Sequence, residues 1–114
     1  MPYLLIQTNV SMDSRLQTEL IQNASKMVAD MLGKPESYVM VALQPDTAMY
    51  FAGTSEPTAY LALKSLRLPE QQAAAFSETL CQFMQDMLQI QPERVYIEFN
   101  SPQPALWGWN KKTF

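Results

Sequence analysis

The second residue of the chain is proline, placed between Met1 and the apolar run Tyr3-Leu4-Leu5-Ile6. An initiator methionine before a small second residue is normally removed. Removal leaves Pro2 as the N-terminus, with a secondary amine where an amide had been. An ordinary α-amino group titrates at about 7.7–8.0. Desolvation and a neighbouring cation both disfavour its charged form and lower that value. A proline amine at the head of an apolar strand therefore has the chemistry of a base or nucleophile working near neutral pH. The plain alternative is that Met-Pro is a start with no further role.

The rest of the composition narrows the field around that amine. The 114 residues contain no histidine and one cysteine, Cys81. A Ser-His-Asp triad, a Cys-His dyad, an ordinary catalytic zinc, an intrachain disulfide and a cysteine-rich zinc site are all excluded. Eight Lys+Arg against 11 Asp+Glu leave a net charge of −3. That balance argues against a nucleic-acid partner, which needs a basic face. Charged residues make up 17% of the chain, against about 25% in a typical soluble domain. Some surface is therefore expected to be hidden from water. A membrane is not the cover, because the longest strongly apolar run, Tyr38 to Leu43, is far short of the roughly 20 residues that span a bilayer. Met1-Pro2-Tyr3 has no basic segment of the kind that opens a signal peptide. The Asn-x-Ser matches at Asn9 and Asn23 then carry little weight, and a reducing cytoplasm is the expected location.

The elements that position Pro2 follow from spacing. Tyr3 to Val10 predicts a strand, and Ser11-Met12-Asp13-Ser14 supplies N-cap residues. Leu16, Leu20, Ala24, Met27, Val28, Met31 and Leu32 recur at helical spacing. Gly33 and Pro35 end that helix. Tyr38 to Gln44 reads as a second strand, and Pro45 to Pro57 as a linker. Thr58 to Leu66 reads as a third strand. Pro69 opens a second helix, whose buried stripe is Ala73, Phe76, Leu80, Phe83, Met84, Met87 and Leu88. Cys81 lies toward that stripe and reads as core. Arg94 to Phe99 alternates as a fourth strand, and the Pro- and Trp-rich tail ends in a short one.

The order is β-α-β, linker, β-α-β. Pro35-Glu36 and Pro92-Glu93 stand 57 residues apart, half of 114. We read one domain over 1–114, internally repeated as about 1–57 and 58–114. Its class is α/β (α+β): two right-handed βαβ units forming a four-stranded mixed sheet with both helices on one face. Both parities of Tyr3-Leu4-Leu5-Ile6, Val39 to Leu43 and Ala59 to Leu63 are apolar, so the second sheet face should also be covered. No third helix is available. Burial against other subunits in a closed homo-oligomer is the expected solution.

Pro2, Thr8-Asn9-Val10, Gly33-Lys34-Pro35, Pro45-Asp46, Gly53 to Pro57, Arg94-Val95-Tyr96-Ile97 and Gly108-Trp109-Asn110 together resemble the macrophage migration inhibitory factor family of the tautomerase superfamily. The resemblance implies a homotrimer of duplicated β-α-β units with active sites between adjacent subunits. It implies cofactor-free keto–enol tautomerisation of phenylpyruvate-like 2-keto acids, or of dopachrome-like compounds, with Pro2 as base. Lys34 matches the family lysine beside the proline. It would pair with a substrate carboxylate and depress the amine pKa; the plain reading is a cation complementing a helix C-terminus. Ser65 and Leu66 match a strand end that meets substrate through its backbone. Tyr96 matches a tyrosine reaching in from the neighbouring subunit. Tyr38, Trp109 and Phe114 match aromatic positions at the pocket mouth, with ordinary packing as the alternative.

Four positions depart from the mammalian pattern. Glu98 stands where an asparagine meets the far end of an aromatic substrate, leaving only an acceptor there. Trp107 replaces a smaller aliphatic residue and should narrow the pocket. Thr58 and Leu61 stand where the mammalian members carry a Cys-x-x-Cys motif, so no dithiol activity is expected. The family likeness also raises an alternative: a trimeric cytokine-like binding protein with a vestigial or secondary pocket and a receptor-type partner. Decarboxylation, hydration and dehalogenation, run by an N-terminal proline in other superfamily branches, rank third.

Overall fold

A computed structural model describes residues 1–114. Strand β1 (Tyr3–Thr8) leads into helix α1 (Ser14–Leu32), which returns the chain to β2 (Met40–Gln44). Strand β3 (Ala59–Lys64), helix α2 (Ala73–Leu88) and β4 (Val95–Asn100) repeat the plan. A hairpin of β5 (Gly108–Trp109) and β6 (Lys112–Thr113) closes the tail. The sheet order is β2-β1-β3-β4. β1 pairs in parallel with β2 and antiparallel with β3, and β3 pairs in parallel with β4. This is the mixed four-stranded sheet expected from two β-α-β units.

Period two and period 3.6 meet at one core. Leu4 and Ile6 of β1, Leu61 and Leu63 of β3, Leu20 and Val28 of α1, and Leu80 and Met84 of α2 are fully buried in a single cluster. Both helices therefore lie on the same face of the sheet. Cys81 is half-buried against that cluster. α1 starts where Asp13 accepts the Leu16 N–H at 2.8 Å. Its end is set by Gly33, in the left-handed region at φ 63°. With that conformation Lys34 N–H reaches Ala29 O at 3.0 Å, closing the helix and directing Lys34 off its end.

The differences from the sequence expectation are local. A 3-10 turn at Glu36–Tyr38 takes up the first residue of the expected second strand. Another at Glu70–Gln72 delays α2 to Ala73, with Pro69 in front of it rather than inside it. α2 ends on Gln89 at φ 56°, a left-handed cap without glycine that composition does not signal. No helix is long and apolar enough to cross a membrane.

The other sheet face carries no helix. Its register puts Tyr3 beside Met40 and Lys64, Leu5 beside Ala42 and Ala62, and Gln7 beside Gln44 and Tyr60. On β4 the same rows end in Asn100, Glu98 and Tyr96. This face is mixed rather than uniformly apolar. Met40 and Tyr96 are 65% and 67% exposed on it.

Candidate functional site

Pro2 sits at the head of β1, at the point where three chain segments converge. It is buried, and its carbonyl accepts the Met40 N–H at 2.9 Å where β2 begins. Tyr3 pairs antiparallel with Lys64, so the next residues outward, Pro2 and Ser65, lie opposite each other. Ser65 is fully buried and Leu66 nearly so. The α1 cap brings Lys34 to the same place. Its Nζ donates to Ser65 Oγ at 2.6 Å and to Leu66 O at 2.7 Å. Two of the three ammonium donors are thereby engaged, and one is left for a ligand.

Charge at this end of the sheet is concentrated and positive. The Met1 amine is held below its ordinary value of 8.0 by burial first, then by Lys34 and Arg67. Lys34 is likewise lowered, by burial and then by Arg67. The first shift favours the neutral form of the terminal amine. In the chain that retains Met1, the Pro2 nitrogen is an amide. After removal of Met1, a secondary amine occupies the same buried corner and meets the same cations.

Two clefts lie at this end of the sheet, and Pro2 lines one of them. The larger, about 540 Å³, is lined by Met1, Pro2, Tyr38, Met40, Trp107 and Trp109 among others. The Tyr38 and Trp109 rings meet edge-on at 6.1 Å between centroids, and Phe114 stacks on Trp109 at 5.7 Å. The Phe114 N–H donates to Trp107 O at 3.2 Å, so the tail hairpin carries these aromatics as one unit. Trp107 faces the cleft at the position where the sequence suggested narrowing. The smaller cleft, about 210 Å³, contains Lys34, Ser65 and Arg67.

Tyr96 and Glu98 are not in either cleft. Both lie on the open face of β4. Tyr96 opposes Tyr60, which in turn opposes Gln7. That row is four residues along β1 from Tyr3, about 13 Å at strand rise. Tyr96 packs edge-on against Phe51 at 4.9 Å, and Glu98 accepts the Tyr60 hydroxyl at 2.5 Å. Within one chain these two residues cannot reach Pro2. Arg67 and Tyr60 were not singled out from the sequence. Nothing in the run Leu66-Arg67-Leu68 marks the arginine, and Tyr60 becomes a partner of Glu98 only through the β3–β4 register.

Comparison with known proteins matches this chain to one family along its full length. The family model described as macrophage migration inhibitory factor matches residues 1–114. The macrophage migration inhibitory factor of Xenopus tropicalis is 35% identical over 115 residues, spanning 100% of this chain and 99% of the relative. A homologue from Brugia malayi is 36% identical with the same coverage. Among solved structures, a homologue from Prochlorococcus marinus superposes with a TM-score of 0.91 at 38% identity, covering 98% of each chain. The factor from Trichinella spiralis gives 0.91 at 27% identity, covering 98% of this chain and 99% of that one. Sequence and fold agree, and the chain belongs to the macrophage migration inhibitory factor family.

Proposed function

We propose that this protein is a cofactor-free keto–enol tautomerase of phenylpyruvate-like 2-keto acids, working from the N-terminal amine of Pro2 after Met1 is removed. The observation that carries the reading is the convergence at one corner of a buried Pro2, a pinned Lys34 ammonium and an aromatic cleft. The neutral amine takes a proton from the carbon next to the keto group. The electron pair moves into the carbon–carbon bond and onto oxygen, giving an enolate. The protonated amine then gives that proton to the enolate oxygen, and the enol leaves. Lys34, with one donor free, pairs with the substrate carboxylate and opposes the charge that develops. Trp107, Trp109 and Tyr38 take the ring, with Phe114 behind Trp109. Ser65 holds Lys34, and Leu66 offers its main chain at the strand end.

The working unit in this reading is a homotrimer. Tyr96 and Glu98 lie on an open sheet face too far from their own Pro2, and a neighbouring copy would bring them to the site. The partly apolar rows around Leu5 supply the contact surface. Replacing Pro2 with glycine, with removal of Met1 verified by intact mass, tests the reaction. Phenylpyruvate turnover should fall by about 100-fold or more, the scale of a lost general base. Unchanged turnover would rule the mechanism out.

A further inference from the structure

Arg67 is the charged residue at the Pro2 corner that the proposed mechanism leaves unused. Its backbone lies at φ 57°, a conformation that a side chain with a Cβ disfavours. Strained positions of this kind concentrate at ligand sites, where the surroundings hold them in place. Arg94 offers a contrast. It donates to the carbonyls of Pro57, Phe51, Thr54 and Glu56 at 2.9 to 3.4 Å and lies over the Phe51 ring. That arginine is wholly engaged in holding a loop. Arg67 is exposed, and no carbonyl or carboxylate takes up its guanidinium.

The surroundings of Arg67 are selective. The 210 Å³ cleft is lined by Lys34, Ser65, Arg67 and Gln72, with Phe76 and other apolar residues as its floor. No carboxylate lines it, although acids outnumber bases in the whole chain. Two cations share the cleft, and Lys34 is lowered by burial first and then by the nearby Arg67. An anion bound between them would relieve their mutual repulsion, and a dianion would relieve it most. The cleft is also far smaller than the 540 Å³ aromatic cleft that Pro2 lines. The ring of a substrate suits the larger space and its anionic end the smaller.

We infer that Arg67 and Lys34 together hold the anionic end of the substrate, and that this end carries two carboxylates. The inference rests on the tautomerase reading for which end of the substrate lies there. It names the substrate class as 2-keto acids with a second carboxylate close to the reacting carbon. One carboxylate pairs with the free donor of Lys34. The other meets the guanidinium of Arg67, whose fork suits bidentate pairing.

Calorimetric titration of the Met1-free protein with phenylmalonate and phenylacetate tests this. The two ligands share a ring and differ by one carboxylate. Phenylmalonate should bind about tenfold more tightly at low ionic strength, and added salt should narrow the gap. Arg67→Gly should bring the two affinities within about twofold of each other. Glycine accepts the left-handed backbone, so this variant removes the charge without straining the turn. Arg67→Lys keeps the charge and should keep most of the preference. Equal affinities in the unmodified protein, a preference untouched by Arg67→Gly, or no binding of either ligand would overturn the inference. Phenylpyruvate turnover by the same preparation reports on the reaction separately. Absent turnover with an intact dianion preference would remove the tautomerase reading and leave the anion site standing.

Discussion

Lys34 Nζ donates to Ser65 Oγ at 2.6 Å, across 31 residues of chain. Lys34 leaves the end of the first β-α unit, and Ser65 follows the first strand of the second. The two repeats are thus joined by one ammonium beside Pro2. Hydrogen bonds to a charged group contribute about 1.5–3 kcal/mol, and the partial exposure of Lys34 brings this nearer to 1 kcal/mol. Ser65→Ala should therefore lower the unfolding free energy in urea by about 1 kcal/mol. It should raise KM for phenylpyruvate about threefold to tenfold while kcat changes less. An unaltered KM would mean that the Leu66 carbonyl alone holds Lys34 in place.

The pH profile follows from the signs of the cited shifts. Burial, Lys34 and Arg67 all lower the Met1 amine from 8.0; a Pro2 amine freed in the same corner would meet the same three influences, so its neutral form should persist to lower pH. The kcat/KM for phenylpyruvate should rise with pH through a pKa below that value and then level off. Lys34→Ala removes one of the two cations. The apparent pKa should then move up toward 8.0, and KM should rise about tenfold with loss of the carboxylate partner. A pKa that stays put or falls in this variant would contradict the electrostatic role of Lys34.

Most of the fold was legible because its periodicities are strong. The stripe Leu20, Ala24 and Val28 is buried on α1, and Phe76, Leu80, Met84 and Leu88 on α2. Gly33 marked its helix end because only glycine takes that backbone freely. Gln89 did the same without a signal. The 3-10 turns before β2, α2 and β4 were not legible, since Pro35, Pro69 and Pro92 fit a turn, a cap or a helix start equally well. At the site, Pro2, Lys34, Ser65 and Leu66 gather at one corner, and Tyr38, Trp107, Trp109 and Phe114 gather beside it. Arg67 escaped notice because its place depends on how the chain turns after β3. Composition does not encode that turn.

Tyr60 and Glu98 make a directly measurable pair. The Tyr60 phenol is raised above its ordinary value, chiefly by its hydrogen bond to Glu98, then by burial and by the Glu98 charge. The carboxylate holds the neutral phenol and opposes the phenolate. In an ultraviolet titration of tyrosinate, one of the five tyrosines should ionise late. Glu98→Gln removes the charge and should return that group toward the ordinary value of 10.0. A titration curve identical in both proteins would show that the pair does not persist in solution.

The proposed trimer turns on the open sheet face. Leu5 lies there between Ala42 and Ala62, and such small neighbours leave room for side chains of another copy. Leu5→Glu would bury a charge in that contact, at an effective cost of several kcal/mol. Sedimentation should give three times the 13.0 kDa chain mass for the parent protein and 13.0 kDa for the variant. The variant should keep its helical circular dichroism, because Leu5 faces away from the core, and lose turnover. A monomeric parent, or a trimeric Leu5→Glu, would contradict the assembly.

The central claim is that the free amine of Pro2 is the base, and Met1 gives it a direct test. One preparation is made with Met1 fully removed and another with Met1 retained, each verified by intact mass. Phenylpyruvate turnover is then measured on mixtures of the two. Activity should rise in proportion to the fraction lacking Met1 and vanish in the retained form, whose Pro2 nitrogen is an amide. Equal turnover by both forms would contradict the account.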